Sequence, residues 1–125
     1  MRLTRTIAPG VFAVLAAAAP AALAQGGDAA KGADVFQSRC SSCHVLNGLS
    51  QGPSLIGVVG RKAGALPGYP YSDAMKASGL TWTPANLDKF LAGPAAMVHG
   101  TAMRATVADP TERGDLIAYL ATLKR

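Results

Sequence analysis

The middle of the chain is too rich in glycine and proline to form a regular helix or strand. Nine residues between positions 44 and 71 are of these two types: Gly48, Gly52, Pro53, Gly57, Gly60, Gly64, Pro67, Gly68 and Pro70. An irregular segment of this length is uncommon inside a compact domain unless it wraps around something. We therefore expect the loop to enclose a group that the rest of the chain holds.

The N-terminal residues have the features of a secretory signal peptide. Arg2 and Arg5 precede an apolar stretch, and Ala22-Leu23-Ala24 resembles the site at which such peptides are cut. We expect residues 1–24 to be cleaved on export to an oxidising compartment such as the periplasm, leaving a chain that does not insert into a membrane. Without cleavage, the 18-residue apolar stretch from 7 to 24 would be a membrane anchor, although glycine and proline interrupt it.

Residues 25–125 are expected to form one domain that is short of large side chains. Only 27 of these 101 residues are Val, Ile, Leu, Met, Phe, Tyr or Trp, and six are aromatic. A domain of this size is only marginally stable, so a non-protein group is expected to fill part of its centre. Removal of the signal lowers the formal net charge from +5 to +3. The remaining basic residues are dispersed, which argues against a nucleic-acid partner.

Capping signals and apolar periodicity predict four helices, and no strand pair is visible. The predicted N-caps are Asp28, Ser72, Thr83 and Asp109. The first helix should run to about Ser38, the second to Gly79 and the third to Gly93-Pro94. The last has a capping-box-like start and a stripe of large residues at 116, 119, 120 and 123. The predicted fold class is all-α with extensive loops.

The only two cysteines lie in the sequence Cys40-Ser41-Ser42-Cys43-His44. This C-x-x-C-H spacing is the attachment signature of c-type haem. Two thiols about one helical turn apart can form thioethers with the two vinyl groups on one edge of the porphyrin. The adjacent His44 then becomes the proximal ligand to iron. One covalent haem c, attached through Cys40 and Cys43, is therefore predicted.

Other uses of the two cysteines are less consistent with the sequence. A redox-active dithiol of the thioredoxin type needs a βαβ setting, which is absent here. A disulfide across two intervening residues closes a very small loop and adds little stability. A zinc site would have to combine the motif with His99, at an unusual spacing.

Met103 is the predicted second axial ligand of the iron. It follows His99-Gly100-Thr101, where glycine allows a sharp turn that can present the thioether to the haem. Ligation by histidine and methionine raises the reduction potential and leaves no open site for substrate. His99 is the alternative, and would give ligation by two histidines.

The sequence resembles the class I cytochromes c, which include mitochondrial cytochrome c and short bacterial relatives. The resemblance spans about residues 27–123 and rests on the segments GDAAKGADVFQSRCSSCH, GPSLIGVVGRKAGALPGYPYSDA, LTW and ERGDLIAYL. It implies the class I cytochrome c fold, in which helices and long loops surround one covalent haem. It also implies that the first and last helices cross closely, with Gly32 and Phe36 against Leu116 and Tyr119.

The resemblance further assigns residues to the haem surroundings. The Pro53 carbonyl would accept the His44 ring N–H, and Thr101 and Met103 match the distal loop of the family. The residues around the haem propionates would be Arg61, Tyr69, Tyr71 and Trp82. This chain has Phe90 where many relatives have a tyrosine that reaches the methionine sulfur, and Met75 where relatives commonly have asparagine. We therefore expect a drier distal side.

Together these features predict a monomeric, periplasmic one-electron carrier that passes electrons between a donor and an acceptor protein and is not an enzyme. The alternative is a haem subunit dedicated to one periplasmic oxidoreductase complex. A ligand-binding or peroxidase-like haem protein is a weaker alternative, because the sequence has no distal constellation of His, Arg and Asp.

Overall fold

The structure is a computed structural model that describes residues 9–11, 13–15 and 26–124. Most of the predicted signal peptide lies outside these residues. Five helices lie within residues 26–124: α1 (Ala29–Arg39), α2 (Asp73–Ala77), α3 (Pro84–Ala92), α4 (Pro94–Met97) and α5 (Pro110–Thr122). None of the helices in this part of the chain has the length and apolar character needed to cross a membrane.

The four predicted helices form, and each begins after its predicted cap. The side chains that accept hydrogen bonds from the first-turn amides are Asp28, Ser72, Thr83 and Asp109. The first helix extends one residue beyond Ser38, and α2 ends two residues before Gly79. The short α4 was not predicted: Gly93-Pro94 ends α3 as expected, but the fixed φ of proline also suits the first turn of a new helix.

The crossing of α1 and α5 is so close that it requires glycine. A Cβ atom at Gly32 would lie 1.9 Å from the carbonyl oxygen of Asp115. One turn further along, the Phe36 and Tyr119 rings pack with their centroids 5.4 Å apart. The Asp28 amide donates a 2.8 Å hydrogen bond to the Asp115 carboxylate, which ties the start of α1 to α5. The close packing that the family resemblance implied is confirmed.

Backbone hydrogen bonds join the glycine- and proline-rich loop to two later parts of the chain. Gly60 and Ala63 donate backbone hydrogen bonds to Trp82 and Leu80, at 2.9 and 2.8 Å. The Gly57 amide donates to the Leu123 carbonyl just after α5. The loop has no helix or strand of its own within residues 44–71. Lys62 is its only residue in a β-bridge, an isolated one to Thr81. These bonds hold the loop against the segment before α3 and against the end of α5.

Replacing Gly32 by alanine should destabilise the protein. The added methyl group would meet backbone atoms of α5 that cannot move without separating the helices. Overpacking of this kind typically costs 1–3 kcal/mol, and we expect a loss of about 3 kcal/mol in the free energy of unfolding. The measurement is urea denaturation of the purified protein followed by far-UV circular dichroism.

The matched control is Gly114→Ala, on the facing helix. A Cβ atom there would have no heavy atom within 4 Å. Alanine is a better helix former than glycine, so this variant should be unchanged or up to about 1 kcal/mol more stable. Equal stabilities of the two variants would contradict the role assigned to Gly32.

Candidate functional site

A cavity of about 400 Å³ lies between the helices and the loop. This volume is in the range of pockets that hold small molecules and cofactors. Its wall includes all eleven of the sequence-predicted site residues: Cys40, Cys43, His44, Pro53, Arg61, Tyr69, Tyr71, Trp82, Phe90, Thr101 and Met103. Residues that are up to 63 positions apart in the sequence thus meet around one space.

The cysteine motif continues the last turn of α1. The Cys40 amide donates to the Phe36 carbonyl at 2.9 Å, and the amides of Cys43 and His44 donate to the Cys40 carbonyl at 3.1 and 2.8 Å. This turn places both thiols and the imidazole on the wall of the cavity. The helix therefore supplies the one-turn separation that the motif requires.

The two thiols differ in their surroundings. Cys40 is buried and Cys43 is exposed, and both are free. Burial raises the pKa of the Cys40 thiol, although the positive charge of the neighbouring Arg39 partly opposes the rise. The proximity of Cys43 adds to the rise in this pKa. The raised pKa favours the neutral thiol form of Cys40 over the thiolate before the thioether to haem forms.

The His44 ring is held by its backbone surroundings. Its Nδ1 atom lies 2.8 Å from the Pro53 carbonyl oxygen. Because a carbonyl only accepts, Nδ1 carries the proton and Nε2 keeps a free lone pair for a metal ion. The predicted contact between Pro53 and His44 is thus present.

Gly52 is a site residue that the sequence reasoning missed. A Cβ atom at this position would lie 2.5 Å from Cε1 and 2.6 Å from Nδ1 of His44. The ring can therefore reach the Pro53 carbonyl only because the preceding residue has no side chain. The only sign of this role in the sequence is the glycine directly before Pro53. A Gly-Pro pair is also typical of an ordinary turn, so it does not indicate contact with His44.

The polar side chains on the wall also hold the loop. Arg61 donates to the carbonyls of Ser54 and Ile56, at 3.0 and 3.3 Å. The Tyr69 hydroxyl donates its single proton to the Gln51 carbonyl and so has none left for another acceptor. The Tyr71 hydroxyl instead accepts from an amide, that of residue 66, and keeps its proton for another acceptor. Their role beside haem propionates stays a prediction.

Most of the remaining wall is apolar. The Trp82 and Phe90 rings lie 4.8 Å apart, and Met75 is buried beside the same space. Another group of side chains on the wall was not predicted from the sequence to line a site: Leu55, Val58, Leu87, Leu91, Leu116 and Leu120. Helical periodicity identifies such residues as buried, but it does not distinguish a cavity wall from a solid core.

The two candidates for the second axial ligand lie in different places. The Met103 side chain lines the cavity, and its amide donates to the Thr101 hydroxyl at 3.3 Å. His99 is exposed and is not part of the wall. Within the described residues, no three His, Cys, Asp or Glu side chains are grouped so that they could hold a metal ion among themselves. The zinc site weighed from the sequence would need such a group.

The chain is similar to known proteins over nearly all of residues 26–124. A family model described as cytochrome c matches residues 29–124. Cytochrome c2 of Rhodomicrobium vannielii is 49% identical over 100 residues, which cover 77% of this chain and 79% of that protein. Cytochrome c2 of Rhodopila globiformis is 46% identical over 101 residues, covering 78% and 95%.

Solved structures of similar proteins have the same fold. Cytochrome cH from Methylobacterium extorquens superposes with a TM-score of 0.74 at 48% identity, covering 77% of this chain and 99% of that one. Ferricytochrome c2 from Rhodopseudomonas palustris superposes with a TM-score of 0.73 at 39% identity, covering 78% and 99%. The predicted all-α class I fold is confirmed.

Replacing Gly52 by alanine should displace the His44 ring. The added methyl group would force the imidazole away from the Pro53 carbonyl, at a cost of about 2 kcal/mol in the free energy of unfolding. We expect the NMR signals of the His44 ring protons to shift. Gly114→Ala, which meets no atom within 4 Å, should leave these signals in place. Unaltered His44 signals in Gly52→Ala would contradict the steric role of Gly52.

Proposed function

Because the chain belongs to the cytochrome c family, we propose that it is a periplasmic one-electron carrier whose haem iron lies between His44 and Met103. It is an electron-carrier protein with redox partners and not an enzyme, and it has one covalent haem c. The compartment, the axial ligands and the monomeric state are the proposed parts.

The residues around the cavity fit a covalent haem. Cys40 and Cys43 supply the two thiols, and the Nε2 lone pair of His44 is available for iron because Nδ1 is bonded to Pro53. When bound, the haem supplies an iron that takes up and gives back one electron. Gly52 leaves the space that the His44 ring occupies.

The observation that carries the proposed ligation is the separation of Met103 from His99. Met103 lines the same cavity as His44, whereas His99 is exposed outside it. A thioether as the second ligand favours the reduced state and leaves no coordination position for substrate, as an electron carrier requires.

The apolar wall supports the same function. Trp82, Phe90 and Met75 are each less than 10% exposed and line the cavity. Apolar side chains disfavour water at the surfaces they cover, and exclusion of water is one of the means by which a protein sets a reduction potential. The expected drier distal side agrees with these apolar residues.

The packing of Gly27 and α1 supports the proposed boundary between signal peptide and domain. Helix α1 starts at Ala29, and a Cβ atom at Gly27 would lie 2.1 Å from the Gly114 carbonyl oxygen. Gly27, three residues after the proposed cleavage site at Ala24, is thus already packed against α5 and belongs to the proposed domain. We propose residues 1–24 as the signal peptide and 25–125 as the single domain.

Removing the Met103 thioether should leave one coordination position of the iron open to added ligands. In Met103→Ala, we expect the oxidised protein to lose its sulfur-to-iron absorption band at the red edge of the spectrum and its affinity for imidazole to rise at least about tenfold, or 1.4 kcal/mol. Optical spectra and imidazole titration of the purified holoprotein measure both changes.

The matched control is His99→Ala, which removes the other candidate ligand. It should keep the absorption band and the imidazole affinity of the wild type, because His99 lies outside the cavity. A band that survives in Met103→Ala, or disappears in His99→Ala, would contradict the proposed ligation.

Cleavage of the signal peptide can be measured on the full-length chain expressed in a bacterium with its export machinery. The intact mass of the holoprotein in the periplasmic fraction should correspond to residues 25–125 plus one haem. An Ala22→Leu/Ala24→Leu variant should remain unprocessed, since the cleavage site needs small residues. A wild-type mass that includes residues 1–24 would contradict the proposal.

A further inference from the structure

The chain that carries Met103 is fixed to the helices at two buried points. Val98 and Val107 are each 3% exposed. The Val98 amide donates to the Pro94 carbonyl, and the Val107 amide donates to the Leu91 carbonyl, both at 2.8 Å. We call residues 98–109 the Met103 segment.

A single guanidinium group reinforces the second of these points. Arg113, on α5, donates from Nη1 to the carbonyls of Val107 and Ala108, at 3.1 and 2.9 Å. From Nε it donates to the Asp88 carboxylate on α3, at 2.8 Å. One side chain thus joins two helices to the end of the Met103 segment.

The chemistry of this contact is specific to arginine. A planar guanidinium presents its donors in a fixed fork, whereas the lysine ammonium is a compact charge on a flexible stem. The Arg113 side chain is only 12% exposed, so its hydrogen bonds are poorly replaced by water. The Asp88 side chain is 48% exposed, and its carboxylate balances the positive charge of Arg113 from the solvent side.

We propose that Arg113 is a positioning residue, which keeps the Met103 sulfur at the cavity by fixing the Met103 segment to α3 and α5. Arg113 does not line the cavity and lies ten residues after Met103. It therefore acts through the backbone at Val107 and Ala108. The inference rests on the proposed function, since it takes Met103 as the iron ligand.

The physical basis is the local stability of the segment. Proteins open locally, and the opening equilibrium of a loop depends on the contacts that are broken when it lifts away. Opening the Met103 segment breaks the contacts of Val107 and Ala108 with Arg113, while the contacts between α1 and α5 remain. Loss of the guanidinium should therefore raise the open population of this segment and leave that of α1 unchanged.

The test uses the full holoprotein with Arg113→Lys and Asp88→Asn. Two quantities are measured: amide hydrogen exchange of residues 98–109 against that of α1, and the affinity for imidazole, which needs Met103 to leave the iron. In Arg113→Lys, we expect both the exchange of the segment and the imidazole affinity to rise about tenfold. Asp88→Asn should change both in the same direction by a smaller factor, because the bonds from Arg113 to the carbonyls remain.

The matched control is Glu112→Gln, which breaks the exposed ion pair of Glu112 with Arg39 near the start of the same helix. Exposed ion pairs contribute little to stability, so neither the hydrogen exchange of the Met103 segment nor the imidazole affinity should change. If Arg113→Lys does not fold, Asp88→Asn and this control still test the proposal.

Three results would overturn the inference: unchanged exchange of the segment in Arg113→Lys, an equal rise in the segment and in α1, or a rise in exchange with unchanged imidazole affinity. A failure of the proposed function looks different. The wild type would then bind imidazole as tightly as Met103→Ala, and the exchange measurement would still decide whether Arg113 holds the segment.

Discussion

The close contact of α1 with α5 is the constraint on which the rest of the structure depends. Gly32 brings the helices together at backbone distance, and the Asp28 amide is bonded to Asp115 at the same crossing. The cysteine motif continues directly from the last turn of α1, so this crossing also fixes the position of both thiols and of His44. The loop beyond the motif is then bonded back to the end of α5 through Gly57 and Leu123.

The shortage of large side chains follows from the same arrangement. Most of the buried apolar residues line a cavity of about 400 Å³ instead of filling it. A chain with a prosthetic group at its centre needs fewer bulky residues, because the group supplies apolar surface that would otherwise come from side chains. The long loop has the complementary role: its polar residues, such as Arg61 and Tyr69, bond to loop carbonyls and shape one wall.

The two proposed iron ligands are held in different ways. His44 lies four residues from Cys40, and its ring orientation is set by the Pro53 carbonyl and by the space at Gly52. Met103 lies on a segment with buried anchors at Val98 and Val107, five and four residues away. Its position therefore depends on contacts among α3, α5 and the segment. Residues far from the cavity can therefore influence the position of Met103 more readily than that of His44.

The sequence by itself determined the starts of α1, α2, α3 and α5, the all-α class and the covalent haem, whereas most of the residues predicted around the haem came from the resemblance to the class I cytochromes c. The helix starts and the haem attachment follow from local chemistry: caps satisfy amides within one turn, and the cysteine motif needs only one helical turn to bring its thiols together. Only the tertiary structure decided that Met103 and not His99 lines the cavity, that Gly52 makes room for the His44 ring, and that Arg113 joins α3 to the Met103 segment. Each of these depends on distances between residues in different elements or facing turns, and a linear pattern of residue types does not contain such distances.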